Sequence, residues 1–189
     1  MTFLPNSRSV IPVILAVLGA AYPLMVYLLL GRVPALAIVM MALALVGARL
    51  GVVRGAAATR FLVPILIAVA VATGGLALAD ATLAALAYPI LMSLGMAAAF
   101  GFSLRDGPSL IELFASLTNP DPSPSARRYM RKLTMVWTAF LVANAMISGL
   151  TLAWGDTVIW ALYNGLISYI LMGALFVGDV LVRRRLTSS

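Results

Sequence analysis

Apolar sequence in this chain comes in six runs, each close to the length one helix needs to cross a bilayer. They fall at about 10–30, 34–53, 61–79, 82–104, 133–154 and 158–182. A crossing helix takes about 20 residues against a hydrocarbon core of about 30 Å. Of the 189 residues, 63% are apolar and only 10% are charged, far from the balance of a soluble domain. The runs lack the period-two alternation of a membrane barrel. The expectation is therefore an all-α, polytopic membrane helical bundle of six transmembrane helices, forming a single domain over 1–189.

The thirteen Lys and Arg residues sort by loop parity. Arg8 precedes the first span. Arg49, Arg54 and Arg60 lie around the second loop, and Arg49 is read as snorkelling from the end of its span. Arg105, Arg127, Arg128, Arg131 and Lys132 lie in the fourth loop, and Arg183, Arg184 and Arg185 follow the last span. Only Arg32 has the opposite parity. Positive charge is retained on the cytoplasmic side, so both termini are expected inside a plasma membrane. The net charge of +7 is thus a topological signal directed at anionic lipid, with no nucleic-acid partner implied. Arg8 and Gly19-Ala20-Ala21 imitate a cleavable leader, but cleavage would spoil the charge parity, so the first run is read as a retained span.

Cysteine and histidine are both absent. That removes disulfides, thiolate chemistry, the commonest general base and the commonest transition-metal ligand. No cofactor or metal site is expected. Asp80 and Asp156 are the carboxylates of two adjacent outer turns, with no positioned nucleophile beside them, so an enzyme is not indicated. No ionisable residue is placed at the middle of a span, which argues against an ion-coupled carrier.

Gly47, Gly51 and Gly55 are four apart, which suits either close helix approach or a loosening helix end at the interface. Ala21-Tyr22-Pro23-Leu24 echoes Ala87-Tyr88-Pro89-Ile90. The two pairs lie at similar depth, which an inverted repeat would not give, so the echo is read as chance. Asn144 and Ser148 in the fifth span, and Tyr163 and Asn164 in the sixth, are polar groups that must find partners in hydrocarbon. They are expected to hold helices together or to line a polar path.

The cytoplasmic loop at about 105–132 is the one extended loop. Leu110, Ile111, Leu113, Phe114 and Leu117 make an apolar stripe, which predicts a short amphipathic interfacial helix. Thr118-Asn119-Pro120 ends it, and Asp121-Pro122-Ser123-Pro124-Ser125 reads as a stiff linker. Arg127, Arg128, Arg131 and Lys132 follow in pairs four apart. They suit headgroup anchoring, or the docking of an acidic protein or a phosphate-bearing substrate.

From Tyr88-Pro89 onward a longer pattern is recognisable. It comprises Phe100, Ser103-Leu104, Pro108-Ser109, Glu112, Phe114-Ala115, Arg128-Tyr129, Arg131, Thr134, Trp137, Phe140, Asn144, Trp160, Tyr163-Asn164-Gly165, Tyr169, Gly173 and Arg183. It resembles an uncharacterised family of bacterial six-span inner-membrane proteins found in aryl polyene and fatty-acid-like biosynthesis gene clusters. Asp179 stands where that family would carry Glu. A shorter stretch, Trp137 to Trp160, is similar to the intracellular septation proteins, without the charged residue expected near Tyr163-Asn164. The first resemblance implies an accessory protein of acyl-product or aryl polyene lipid biosynthesis. In that role it would be a docking platform for acyl carrier protein or a membrane acyltransferase, or a homo-oligomer. The alternatives are a small transporter or flippase of an acyl product, and a septation or envelope-morphology factor.

Overall fold

The computed structural model describes residues 7–53, 58–105, 107–117 and 121–187, with the side chains of 7–10, 12 and 184–187 left aside. Arg54, Gly55, Asp106 and Thr118-Asn119-Pro120 lie outside the described residues. The architecture is all helical: α1 Ser7–Leu29, α2 Ala35–Val53, α3 Thr59–Ala79, α4 Ala81–Ser103, α5 Leu110–Ala115, α6 Pro124–Trp154, α7 Thr157–Leu162 and α8 Ser168–Thr187. A π-helical turn, Tyr163–Ile167, carries α7 into α8 without a break. Among the described residues, five helical stretches are long and apolar enough to cross a membrane, and α1 adds a shorter apolar run, Val13–Leu29. Large apolar side chains stand fully outward along them, Leu78 at 93% and Val71 at 69% exposure. Water would penalise such a surface, whereas lipid does not.

Local chemistry fixes the turns. Gly31 and Gly155 take positive φ, 80° and 83°, a conformation that a Cβ disfavours. Gly155 thereby ends α6 in a left-handed cap. The Asp80 side chain accepts from Leu83 N at 2.9 Å. Asp156 accepts from Val158 N at 2.7 Å and Ile159 N at 3.2 Å. Both carboxylates of the sequence-level pair are thus N-caps, each satisfying orphan donors of its own helix. α6 starts at Pro124, well before its apolar run, because Ser123 caps it (Ala126 N at 3.3 Å) and Pro124 occupies the first helical position. The stretch read as a linker is therefore partly helix.

α4 is the central helix, packed along both α3 and α6, and α2 packs on α3 and α4. Small side chains make this possible. Ala84, Ala85, Ala97 and Ala99 are buried along α4, and a Cβ on Gly95 would stand 2.7 Å from Val69 Cγ2 and 3.0 Å from Ile65 Cγ2. Close backbone approach replaces the missing hydrophobic drive between helices in lipid. Gly47 and Gly51, in contrast, face open space and mark no close approach among the described residues.

The chain thus has an arginine-rich end, where α2 meets α3 and α5 lies, and an opposite end at Gly31, Asp80 and Gly155. At the arginine-rich end α5 is six residues long. Leu110 and Leu113 turn into the bundle against Leu62, Ala97, Phe100 and Leu141, while Phe114 and Leu117 point outward. Its stripe is divided between protein and surroundings. Ser103 Oγ donates to Phe100 O at 2.7 Å and accepts from Leu110 N at 2.9 Å, fastening α5 to α4. A second core lies toward the opposite end, with Tyr22, Val26, Ile38, Val39, Ala85, Tyr88 and Trp160 in it.

Candidate functional site

Between these two cores lies a cavity of ≈ 470 Å³, bordered by α1, α2, α3, α4, α6, the π-helical turn and α8. Two mid-helix prolines build its end wall. Proline has no N–H and cannot bond the carbonyl four residues earlier. Pro23 therefore frees Gly19 O, and Pro89 frees Ala85 O. Each freed carbonyl takes a tyrosine hydroxyl: Tyr169 OH donates to Gly19 O at 3.0 Å, and Tyr22 OH donates to Ala85 O at 3.1 Å. The Tyr22 and Tyr88 rings meet edge to face, 4.7 Å between centroids. Tyr22 is seven residues from the end of α1 at Leu29, and Tyr88 seven from the start of α4 at Ala81. The repeated Tyr-Pro pairs are thus one structural device at one depth. The sequence echo was not an inverted repeat, but neither was it idle.

Arg49 stands under this wall. Its guanidinium donates to Tyr88 OH at 3.2 Å, to Met92 Sδ at 3.7 Å and to Leu15 O at 3.5 Å. Gly19 makes room for it, since a Cβ there would lie 2.1 Å from Nη2. Gly19 and Met92 are at the centres of α1 and α4, so the charge sits at mid-depth. This corrects two expectations from sequence: Arg49 does not snorkel, and an ionisable group does reach the middle of the bundle. The reason is directional. Side chains on a helix tilt toward its N-terminus, so a residue near the C-terminal end of α2 aims away from the arginine-rich end. Among the described residues no carboxylate pairs with it; the ion pairs are Arg127–Glu112, Arg127–Asp121 and Arg183–Asp179.

The four intramembrane polar residues named from sequence form one seam. Asn144 Nδ2 donates to Ser93 Oγ at 3.1 Å, and Tyr163 OH donates to Asn144 Oδ1 at 3.0 Å. Ser148 Oγ donates to Asn164 Oδ1 at 2.6 Å, and Asn164 Nδ2 donates to Trp160 O at 2.9 Å. The seam ties α4 and α6 to the π-helical turn. Asn144, Asn164 and Ser93 also line the cavity, whereas Ser148 and Tyr163 stand behind it. Gly165 in the π-helical turn brings that wider coil close to Pro23 and Leu24. Such turns recur where a helix carries function.

The basic residues at the start of α6 behave differently. Arg127 Nε donates to Pro122 O at 3.1 Å, and Arg127 pairs with Asp121 at 3.2 Å and Glu112 at 3.8 Å. Arg131 donates to Leu104 O, capping α4. These two side chains hold the loop. Arg128 and Lys132 are exposed. Arg127, Arg128 and Arg131 border a shallow groove with Glu112 and Pro108. Tyr129 OH donates to Asp179 Oδ1 at 2.7 Å, and Arg183 also pairs with this nearly buried carboxylate, joining α6 to α8. No group of metal-ligating side chains occurs among the described residues.

The fold and site define an all-α membrane bundle with a central cavity and, among the described residues, one cation inside it. No family model, no curated protein and no solved structure matches the chain.

Sequence reasoning missed Arg49, Tyr22, Tyr88 and Tyr169 as a group. Two signals were available. Arg49 falls inside an apolar run rather than beyond it, and each mid-span proline follows a tyrosine.

Proposed function

We propose that the protein is a small membrane carrier that takes an amphipathic, acyl-type molecule into its central cavity. This is the transporter reading of the sequence. The observation that carries it is the Arg49 guanidinium, which among the described residues has no carboxylate partner, in a cavity with otherwise largely apolar walls. A cation in a hydrocarbon interior costs about 2.5–3.5 kcal/mol on insertion scales and marks function by default. Small-molecule sites in helical bundles have this make-up, apolar walls with few convergent polar groups. The resemblance of the last three spans to proteins of acyl-lipid gene clusters supports an acyl product as the cargo class. The platform reading has less support, because Arg127 and Arg131 already serve the loop. The expected location is a bacterial inner membrane with the arginine-rich end in the cytoplasm, from the charge parity.

The test is photo-crosslinking in proteoliposomes with a single-chain amphiphile bearing a diazirine. Peptide mapping is expected to place label on the cavity residues Met92, Met96 and Met172, and excess unlabelled chain should remove it. Label confined to lipid-facing positions such as Val71 and Leu78 would overturn the carrier reading.

A further inference from the structure

The cavity is polarised along its depth, and in the sense opposite to a lipid leaflet. Arg49 and the polar groups near it, Tyr88, Ser93 and Asn144, lie at mid-depth, and Asn164, Ser168 and Tyr169 add polar groups along the π-helical turn and the start of α8. Toward the arginine-rich end its walls are apolar: Val52, Val53, Leu62, Phe100, Trp137 and Leu141. A leaflet lipid has its head at the interface and its tail at the middle. An amphiphile filling this cavity must lie the other way round, with its head at Arg49 and its tail toward the arginine-rich end.

Charge balance narrows the head. One guanidinium is present, and among the described residues no second cation lines the cavity. A single negative charge cancels it. A phosphate monoester carries about −1.5 to −2 at pH 7, and the excess would be buried without a partner, which low-dielectric surroundings penalise strongly. A neutral alcohol would leave the guanidinium as it is. A bare inorganic anion would leave the apolar half of the cavity unfilled. The guanidinium is a planar fork that matches a carboxylate with two parallel bonds, and the Tyr88 hydroxyl stands beside it as a further donor.

Resting on the carrier reading, we propose that the ligand is a single-chain carboxylic acid, bound as its monoanion and held head-inward, with the carboxylate on Arg49 at mid-depth. Gly19 is the positioning residue that leaves space for the guanidinium. The site thus fits a free carboxylate, rather than a phospholipid or an ester.

The experiment uses the full chain in nanodiscs and the photoprobe above, displaced by three chain-matched competitors: dodecanoate, dodecanol and dodecyl phosphate. Dodecanoate is expected to displace the probe best. Arg49→Gln should weaken dodecanoate by about ten- to a hundredfold, the range of a charged hydrogen bond, and leave dodecanol unchanged, which also shows that the variant folds. Gly19→Ala should weaken dodecanoate in the same direction, because the new Cβ displaces Nη2. A probe with its diazirine beside the carboxylate should mark Gly19 and Met92, and one with a terminal diazirine should mark Val53 and Phe100. Equal displacement by all three competitors, or the reversed labelling pattern, would overturn this inference while leaving the carrier reading intact. Displacement by none of them would remove the carrier reading itself.

Discussion

At the level of single residues, the pairing of tyrosines with prolines is the most specific device in the bundle. Ala85 O has lost its helical donor to Pro89 and receives Tyr22 OH instead. Removing that hydroxyl leaves a buried carbonyl without a donor, so Tyr22→Phe should lower stability by roughly 0.5–2 kcal/mol. If Pro89 is the cause, the effect must depend on it. In a Pro89→Ala background the restored N–H bonds Ala85 O, and Tyr22→Phe should then cost only about a few tenths of a kcal/mol. Unfolding in mixed micelles over the four-member cycle measures this coupling; equal losses in both backgrounds would refute the proline explanation. The residues themselves were visible in sequence as a repeated dipeptide. Their relation was not, because the partner of Ala85 lies 63 positions away and no spacing rule reaches so far. Arg49 was hidden for a different reason. Charge parity groups it with the second loop, and only the rotation of α2 about its axis decides that it faces the cavity.

Among the elements, boundaries followed apolar run length closely where hydropathy sets them. α2 begins at Ala35 and α3 ends at Ala79, as the runs imply. α6 departs from its run because a helix needs a cap and good geometry to start, and Ser123 with Pro124 supplies both in polar sequence. Which glycines matter is likewise a property of packing rather than spacing. The regular series at Gly47 and Gly51 meets nothing, whereas the isolated Gly95 holds α3 and α4 together. Gly95→Val should force these helices apart at about 1–3 kcal/mol, the usual range for overpacking, while Gly47→Val should leave stability nearly unchanged. Thermal unfolding of the two variants side by side decides it. A Gly47→Val loss as large as that of Gly95→Val would mean that the exposed stripe is covered by another chain.

Across the whole molecule, the charge parity and the cavity polarity make one joint statement. The six-span arrangement and the two ends of the bundle were legible in sequence because hydropathy and charge act on every span at once. The cavity was not legible, because it depends on six helices and the π-helical turn meeting, and no local pattern encodes that. The apolar part of the cavity lies toward the end that carries Arg60, Arg105, Arg127, Arg128 and Arg131. If that end is cytoplasmic, a carboxylic acid made inside the cell meets the tail-binding end of the cavity first, and its head must travel past it to mid-depth. Sidedness therefore determines whether the site loads from the compartment of synthesis. The absence of cysteine allows a direct measurement with single exposed cysteines at Arg32→Cys and Ser125→Cys. In intact cells an impermeant maleimide should label Arg32→Cys, and it should reach Ser125→Cys only after the membrane is opened. The reverse pattern would put the arginine-rich end outside, against the retention of positive charge. The cavity would then serve uptake of an external acid rather than release of an internal one.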